Sequence, residues 1–153
     1  MKPFFKAAIA LAFVIVPSTN LKAAKAQPSS LPEPKLRFVG TEPYEANGFD
    51  FIRYKYEVTN HEKFKRELFA ASPDLPACNE NPNASRTWID LYDAKGKKLY
   101  WFCALSGPDD LKNLWFALTD GAEPPDSVYI EMTDRRTGGH VRSNLASTPA
   151  LKK

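Results

Sequence analysis

The chain has 153 residues, a mass of 17.2 kDa, a formal net charge of +3 and two cysteines. This length accommodates one domain and excludes a barrel enzyme of about 250 residues or a two-domain catalyst. Hydrophobic residues at 43% and charged residues at 25% are typical of a globular protein rather than a disordered one. The pI near 8.8 leaves nucleic-acid binding open at this point.

The first 26 residues have the pattern of an export signal. Lys2 and Lys6 precede an uninterrupted apolar run at 7–16, and Ala24-Lys25-Ala26 supplies the small residues that a signal peptidase requires. The alternative is a membrane anchor, but a run of this length is too short for a hydrocarbon core that requires roughly 20 residues. We therefore predict cleavage near Ala26 and an exported, periplasmic or extracellular protein with no transmembrane segment in the mature chain.

Export also changes the meaning of the net charge. Four of the 21 basic residues and none of the 18 acidic ones lie in the predicted leader. The mature chain therefore carries 17 basic and 18 acidic side chains, a net charge of −1 with histidine neutral. A chain that is nearly neutral has no general attraction for phosphate backbones or anionic membranes. We expect no nucleic-acid partner.

Cys78 and Cys103 are the only cysteines, and an oxidising compartment favours a disulfide between them. The bond would close a loop of about 26 residues and contribute roughly 3–3.5 kcal/mol in the chain-entropy model. A redox-active or nucleophilic thiol is the alternative. The pair lacks the C-x-x-C spacing, and neither cysteine has a basic or histidine neighbour that would lower its pKa. The sequence therefore favours a structural disulfide.

The first half of the mature chain predicts a tether, two strands and a long loop. Residues 27–35 are rich in proline and serine, which is typical of an extended tether. Leu36–Gly40 and Phe51–Thr59 alternate apolar and polar residues, as strands with one face on a core do. Three prolines interrupt the following stretch, so we expect Cys78 to lie in a long loop that the disulfide attaches to the sheet.

A hairpin is predicted from the next two segments. Thr87–Tyr92 and Lys98–Leu105 are rich in aromatic and branched residues and flank a turn that contains Gly96. Counting outward from the turn gives the register. On the core face, this register pairs Leu91 with Leu99, Ile89 with Trp101 and Thr87 with Cys103. On the reverse face, it pairs Tyr92 with Lys98, Asp90 with Tyr100 and Trp88 with Phe102.

The remaining segments complete an all-β pattern. Ser106–Asp110 predicts the start of a short helical turn, because capping and acidic residues cluster there. Further strands are predicted at Leu114–Leu118, Val128–Thr133 and His140–Ser143, and residues 145–153 are predicted to be a flexible tail. The domain is thus placed at 36–144. We predict an antiparallel β-sandwich of about seven strands, with one intradomain disulfide and one short helical turn.

At the level of fold, the chain resembles the immunoglobulin-like and fibronectin type III-like β-sandwich domains. The resemblance is carried by Phe51–Thr59, by the hairpin from Trp88 to Cys103 and by the Pro-Pro-Asp-Ser-Val-Tyr run that ends at Tyr129. It covers about residues 36–143. Such a resemblance implies an architecture and no particular activity.

The candidate binding face is the reverse face of the predicted hairpin, formed by Trp88, Asp90, Tyr92, Tyr100 and Phe102. Aromatic patches of this kind mark contacts with proteins or sugars. The alternative is that this face is covered by the loop at 61–86 or belongs to the core, since each sheet of a sandwich must bury one face. Asp90 would have a raised pKa if it were buried among these rings, or would pair with Lys98 if it were exposed.

No sequence motif points to catalysis. The two histidines lack metal-binding spacing, and there is no P-loop, dinucleotide fingerprint or nucleophile elbow. We therefore expect no cofactor, no metal and no catalytic residue. The expected function is an exported, non-catalytic module that binds a protein or glycan in the cell envelope or extracellular space. The alternatives are an exported inhibitor of a hydrolase that uses its disulfide-anchored loop, and a small hydrolase that uses Asp90 with a second carboxylate.

Overall fold

The computed structural model describes residues 31–78 and 84–149, which form two antiparallel sheets around a shared core. The first sheet has the order β1 (Leu36–Ala46), β2 (Phe49–Val58), β5 (Leu114–Thr119). The second has the order β4 (Lys98–Phe102), β3 (Thr87–Asp93), β6 (Ser127–Asp134), and β6 also pairs with β7 (His140–Arg142) and β8 (Ala146–Ser147). The predicted all-β, antiparallel architecture is confirmed, with eight strands in place of about seven.

Among residues 31–78 and 84–149, helical structure is confined to short turns. The described residues contain three 3-10 turns, at His61–Lys63, Arg66–Leu68 and Pro108–Lys112, where one short helical turn was predicted. Within the described part of the chain, no helix is long and apolar enough to cross a membrane. The predicted export signal at 1–26 lies outside the described residues.

The first hairpin is longer than the sequence predicted. β1 does not end at Gly40, because the register shifts at Val39 and the strand then resumes its pairing with β2. Asn47 and Gly48 connect the two strands with φ values of 53° and 78°, the left-handed backbone that a two-residue hairpin turn requires. Asn-Gly between apolar segments is a strong hairpin signal, so this turn was predictable from the sequence.

The core fills the space between the two sheets. Tyr54 stacks on Phe116 with ring centroids 5.1 Å apart, which joins β2 to β5. The hydroxyl of Tyr56 forms a 2.6 Å hydrogen bond with Thr148, and burial raises the pKa of Tyr56 to about 12. The largest fully buried side chains come from both sheets and from the loops between them: Tyr54, Tyr56, Phe69, Phe116, Ile89, Leu91, Leu111, Leu114, Ile130, Met132, Val58 and Val128.

The domain extends beyond both boundaries that the sequence predicted. From residue 31 onward, the predicted tether packs on the domain, with Leu31 buried in the core and Asn60 hydrogen-bonded to the backbone at Glu33 and Lys35. At the other end, the first residues of the predicted tail form β8, and Ala146 is buried. Apolar burial and paired backbone groups outweigh the proline-rich and polar composition on which those boundaries rested.

The predicted disulfide joins Cys78 to Cys103, with the two Cα atoms 5.9 Å apart. That separation lies within the usual range for a disulfide. Cys103 directly follows β4, so the bond attaches the proline-rich loop to the end of that strand. Backbone hydrogen bonds secure the same loop, including one of 2.9 Å from Ser72 N–H to the Ala84 carbonyl. The prediction of a loop pinned to the sheet is confirmed for the described part of this loop.

A buried ion pair connects Arg86, which directly precedes β3, to Asp134 at the end of β6. Asp134 is fully buried, and it accepts hydrogen bonds from Nε (2.8 Å) and Nη2 (2.5 Å) of Arg86. It also accepts bonds from the Arg136 N–H at 3.1 Å and the Thr137 hydroxyl at 3.0 Å. These contacts, above all those of Arg86, lower the pKa of Asp134 to about 2. The carboxylate is therefore ionised and fully partnered.

Replacing Arg86 with methionine should lower the free energy of unfolding by about 3–5 kcal/mol, because it leaves a buried carboxylate without its counter-ion. Urea denaturation measures this change. The control is Arg37→Met, which removes an exposed ion pair with Glu57 and should change the stability by less than about 1 kcal/mol. Equal effects of the two substitutions would contradict the structural role of the buried pair.

The Asp134 carboxyl should also make stability depend on pH in the acid range. Its pKa falls from 3.8 to about 2 on folding, so the stability that it contributes is complete above about pH 4 and is lost as the pH falls through about 2. Melting temperatures measured between pH 2 and pH 6 should decline more steeply for the natural protein than for Asp134→Asn, which is the less stable of the two at pH 6. If melting temperature declined with pH equally for both proteins, Asp134 would not be the cause of the acid-range loss of stability.

Candidate binding site

All five residues of the predicted binding face lie on the β3–β4 hairpin, and its register determines where they point. Tyr92 lies opposite Lys98, as predicted, but a bulge follows that pair. The next pairs are Leu91 with Tyr100, Asp90 with Trp101 and Ile89 with Phe102. Beyond the first pair the predicted register is wrong, because the bulge inserts Leu99 as an extra residue. A shift of one residue moves every later side chain to the opposite face.

The five residues are consequently divided between two surfaces. Trp88, Asp90 and Tyr92 alternate with the buried residues of β3 and point away from the core. Tyr100 and Phe102 turn toward the inner side of the sheet, where they are half-buried and pack against the core. Trp101, predicted to lie in the core, is 46% exposed. The single aromatic face expected from the sequence is therefore replaced by an outer face and an edge.

On the outer face of the second sheet, the chain's own cations cover the aromatic rings. The guanidinium of Arg135 lies 3.8 Å from the centroid of the Trp88 ring, and that of Arg142 lies 3.4 Å from the Tyr129 ring. Tyr129 in turn stacks on Tyr92 at 5.3 Å. Cations held over ring faces are favourable contacts. The aromatic rings of this outer face are therefore largely covered by side chains of the same protein.

Asp90, the carboxylate that the sequence singled out, forms an ion pair. Its Oδ1 lies 2.9 Å from Nζ of Lys98, and its Oδ2 accepts a 3.4 Å hydrogen bond from the Tyr92 hydroxyl. The bond to Asp90 raises the pKa of Lys98, which stays charged. Of the two environments considered for Asp90, the pairing with Lys98 is the one observed. Among residues 31–78 and 84–149, no group of three His, Cys, Asp or Glu side chains could hold a metal ion.

A second aromatic cluster lies where β4 and β5, the last strands of their respective sheets, come together; we call this line of contact the β4–β5 seam. The rings of Tyr100 and Trp115 have centroids 4.6 Å apart and link the two sheets. Phe102 meets Trp115 edge-on at 6.5 Å, and Trp101 stacks on Tyr100 at 5.6 Å. Rings from both sheets thus form one continuous aromatic surface at this edge.

Arg53 extends this aromatic surface onto the outer face of the first sheet. Its guanidinium lies 4.0 Å from the ring centroid of Tyr44 and 4.4 Å from that of Trp115. Glu42 accepts hydrogen bonds from Arg53 Nη1 at 2.9 Å and from Lys55 Nζ at 3.1 Å, and these bonds, the one from Lys55 foremost, lower the pKa of Glu42. Two cations therefore share one carboxylate beside Trp115.

The seam contains an open cleft of about 330 Å³. Its walls include four aromatic side chains and the disulfide: Tyr100, Trp101, Phe102, Trp115, Cys78 and Cys103. The described residues of this lining contribute no carboxylate, amide or imidazole side chain. Apolar clefts with few polar groups are typical of binding sites, and this lining offers contact area rather than acid–base chemistry.

Tyr100 and Phe102, which line this cleft, were among the residues predicted to bind a partner, whereas Trp115 and its neighbour Arg53 were not. The signal for Trp115 was present: it stands between Leu114 and Phe116, both buried, and in a strand such a residue must point to the other face. Its contact with β4 could not be read in the same way, because that contact depends on how the two sheets meet and on the bulge at Leu99.

Comparisons with protein-family models, with curated proteins and with solved structures found no match to this chain. We therefore interpret the cleft from its own geometry and chemistry.

The two tryptophans of the cleft should differ in their effect on stability. Trp115→Ala should lower the free energy of unfolding by about 2 kcal/mol or more, because Trp115 packs against two rings of β4 and the Arg53 guanidinium. Trp101→Ala should cost less than about 1 kcal/mol because Trp101 is largely exposed. Chemical denaturation followed by circular dichroism measures both. A loss for Trp101→Ala as large as that for Trp115→Ala would show that Trp101 is a packing residue and not a free surface.

Proposed function

We propose that this protein is an exported, non-catalytic β-sandwich module that binds a protein or glycan partner through the cleft of the β4–β5 seam. The observation that carries the proposal is the exposed Trp101 beside an open aromatic cleft. Exposed tryptophan is costly to keep in water, and it is enriched where binding energy is concentrated. Tyr100 and Phe102 remain part of the proposed site, and Trp115 joins them.

The proposal of a periplasmic or extracellular location is supported by two independent features. One is the pattern of charged, apolar and small residues at 1–26, which is typical of a cleaved export signal. The other is the disulfide between Cys78 and Cys103, a bond that persists in oxidising compartments and is rare in the cytosol. A binding partner is accordingly sought among envelope or extracellular molecules.

We further propose that the domain is a divergent member of the immunoglobulin-like and fibronectin type III-like sandwiches. Support comes from its two antiparallel sheets and from the crossing of the chain between them, since β5 pairs with β2 while β4 and β6 both pair with β3. The domain differs from constant-type immunoglobulin domains in the fourth strand, which joins the second sheet here. It also differs in its disulfide, which attaches a loop to the end of β4 instead of bridging the two sheets.

A non-catalytic role is favoured by the chemistry of the aromatic residues and of Asp90. The described lining of the cleft supplies no general acid or base, and Asp90 lies on the other face in an ion pair with Lys98. Carboxylate-dependent hydrolysis requires two carboxyl groups that flank the substrate, and the described lining of the cleft contains no carboxylate. The geometry therefore fits recognition better than turnover.

The binding proposal is tested by capture from envelope extracts with the oxidised protein. Trp101→Ala should reduce recovery of the captured partner at least tenfold and leave the melting temperature within a few degrees of the natural value, since it removes contact area without disturbing the core. Phe49→Ala is the matched control, because Phe49 is also an exposed ring, at 66%, but lies at the turn of the β1–β2 hairpin. If Trp101→Ala recovered as much partner as the natural protein, or if only Phe49→Ala lost recovery, the partner would bind at a surface other than the cleft.

A further inference from the structure

We propose that the partner binds the β4–β5 seam as an extended polypeptide segment, which pairs with the free edge of β5 and carries an acidic residue flanked by apolar ones. The inference rests on the proposed function, because it assigns a chemical class to the occupant of the same cleft. It is carried by the backbone of β5, by the hollows at the two ends of the seam and by the unbalanced charge beside Trp115.

Every strand that ends a sheet exposes unpaired backbone groups, and most edges of this protein are protected against pairing with another chain. β1 is interrupted by its bulge and contains Pro43. β4 begins with Lys98 and contains the bulge at Leu99. β7 and β8 are three and two residues long. Charges, prolines, bulges and short length are the usual means of blocking strand addition.

β5 has none of these protections. Its six residues, Leu-Trp-Phe-Ala-Leu-Thr, include no charge and no proline, and they pair with β2 in unbroken register. No strand among the described residues pairs with the other side of β5. The rings of Tyr100 and Phe102 pack on Trp115 at the start of this edge, so strand addition would use its later residues, Phe116–Thr119. In strand addition, main-chain hydrogen bonds supply affinity and side-chain pockets supply specificity.

The seam offers hollows for side chains near both ends of β5. The aromatic cleft of about 330 Å³ lies at Trp115, near the start of the strand. A second hollow of about 410 Å³ near the end of the strand has apolar walls at Leu118, Leu99 and Pro124, and its rim carries charges of both signs from Asp93, Lys95, Lys97, Glu123 and Asp126. An added strand would direct alternate side chains to opposite faces of the sheet, and those that face β4 could enter these hollows. Apolar residues are therefore expected at alternate positions of the bound segment.

The outer face beside β5 carries the complementary charge. Arg53 lies directly opposite Ala117, and Lys55 lies opposite Trp115. These two cations share the single carboxylate of Glu42, which leaves one positive charge in excess. Ala117 is small, so an acidic side chain paired with it from the far side could extend over its methyl group toward Arg53. Because neighbouring residues of a strand point to opposite faces, this acidic residue would be flanked by the apolar ones.

The same chemistry favours a polypeptide over a glycan. Recognition of sugar hydroxyls requires well-placed polar side chains. The described lining of the aromatic cleft supplies only the Tyr100 hydroxyl and the indole N–H groups of Trp101 and Trp115 as side-chain polar groups, whereas β5 supplies a row of backbone donors and acceptors. A glycan partner is thus an alternative outcome of the test and not part of the proposal.

The test is selection of a phage-displayed library of random linear dodecapeptides on the oxidised, full-length protein. Enriched peptides should contain Asp or Glu between apolar residues. A synthetic copy of the most enriched peptide should lose at least tenfold in affinity when the acidic residue is replaced by lysine, because the excess positive charge then repels it. Methylation of the backbone nitrogens on one edge of that peptide should abolish binding, because it removes the strand hydrogen bonds.

Ala117→Glu and Ala117→Lys provide matched variants of the protein. The Ala117→Glu variant should bind the acidic peptide with at least tenfold lower affinity than the natural protein does. The Ala117→Lys variant should bind it as tightly as the natural protein or more tightly, and circular dichroism confirms that both variants fold.

The proposal would be overturned by equal affinities of the two variants, by enriched peptides that lack acidic residues, or by binding that survives methylation of both edges of the peptide. If no peptide is enriched while Trp101→Ala still prevents capture of an envelope partner, the polypeptide inference fails and the proposed function stands. If Trp101→Ala leaves capture intact, the proposed function itself fails.

Discussion

The register of the β3–β4 hairpin is the constraint on which the site depends. One extra residue, Leu99, changes which side of the sheet the rest of β4 presents. Tyr100 and Phe102 are thereby directed to the inner edge, where they meet Trp115 from the other sheet, and Trp101 is directed outward. Without the bulge, the same residues would occupy opposite faces and the aromatic cleft would not form. A local irregularity of the backbone thus creates the feature that distinguishes this sandwich from a smooth-sided one.

The two aromatic regions of the protein differ in how their rings are covered. In one region the chain's own side chains cover the rings, and in the other a ring stays exposed for contact with another molecule. Trp88 and Tyr129 lie under arginine side chains of their own chain, so the outer face presents cations and covered rings. Trp101 has one face on Tyr100 and remains largely exposed, beside a hollow that the described side chains leave open. The contrast favours the seam over the outer face as the place where another molecule would contribute the missing contacts.

The sequence predicted the layers of the fold better than it predicted the site. Alternation in Phe51–Thr59 and in Thr87–Tyr92 identified strands whose buried faces are observed, and export chemistry identified the Cys78–Cys103 pair. The Asn47-Gly48 turn is also encoded locally, because Asn-Gly between apolar segments is a strong hairpin signal. The bulge at Leu99 could not be predicted from the sequence. The local residues are equally compatible with a three-residue turn followed by regular pairing and with the same turn followed by a bulge. The packing of Trp115 against β4 likewise depends on how two sheets meet, which no single strand encodes.

The most direct test of this account is the pattern of cross-strand backbone nuclear Overhauser effects in the oxidised protein. Residues directly opposite one another in an antiparallel pair have Cα atoms about 4.5–5.5 Å apart, close enough for such contacts. The bulged register predicts contacts of Asp90 with Trp101 and of Leu91 with Tyr100. Contacts of Ile89 with Trp101 and of Leu91 with Leu99 would instead show a hairpin without the bulge, in which Tyr100 and Phe102 face outward and the proposed cleft does not exist.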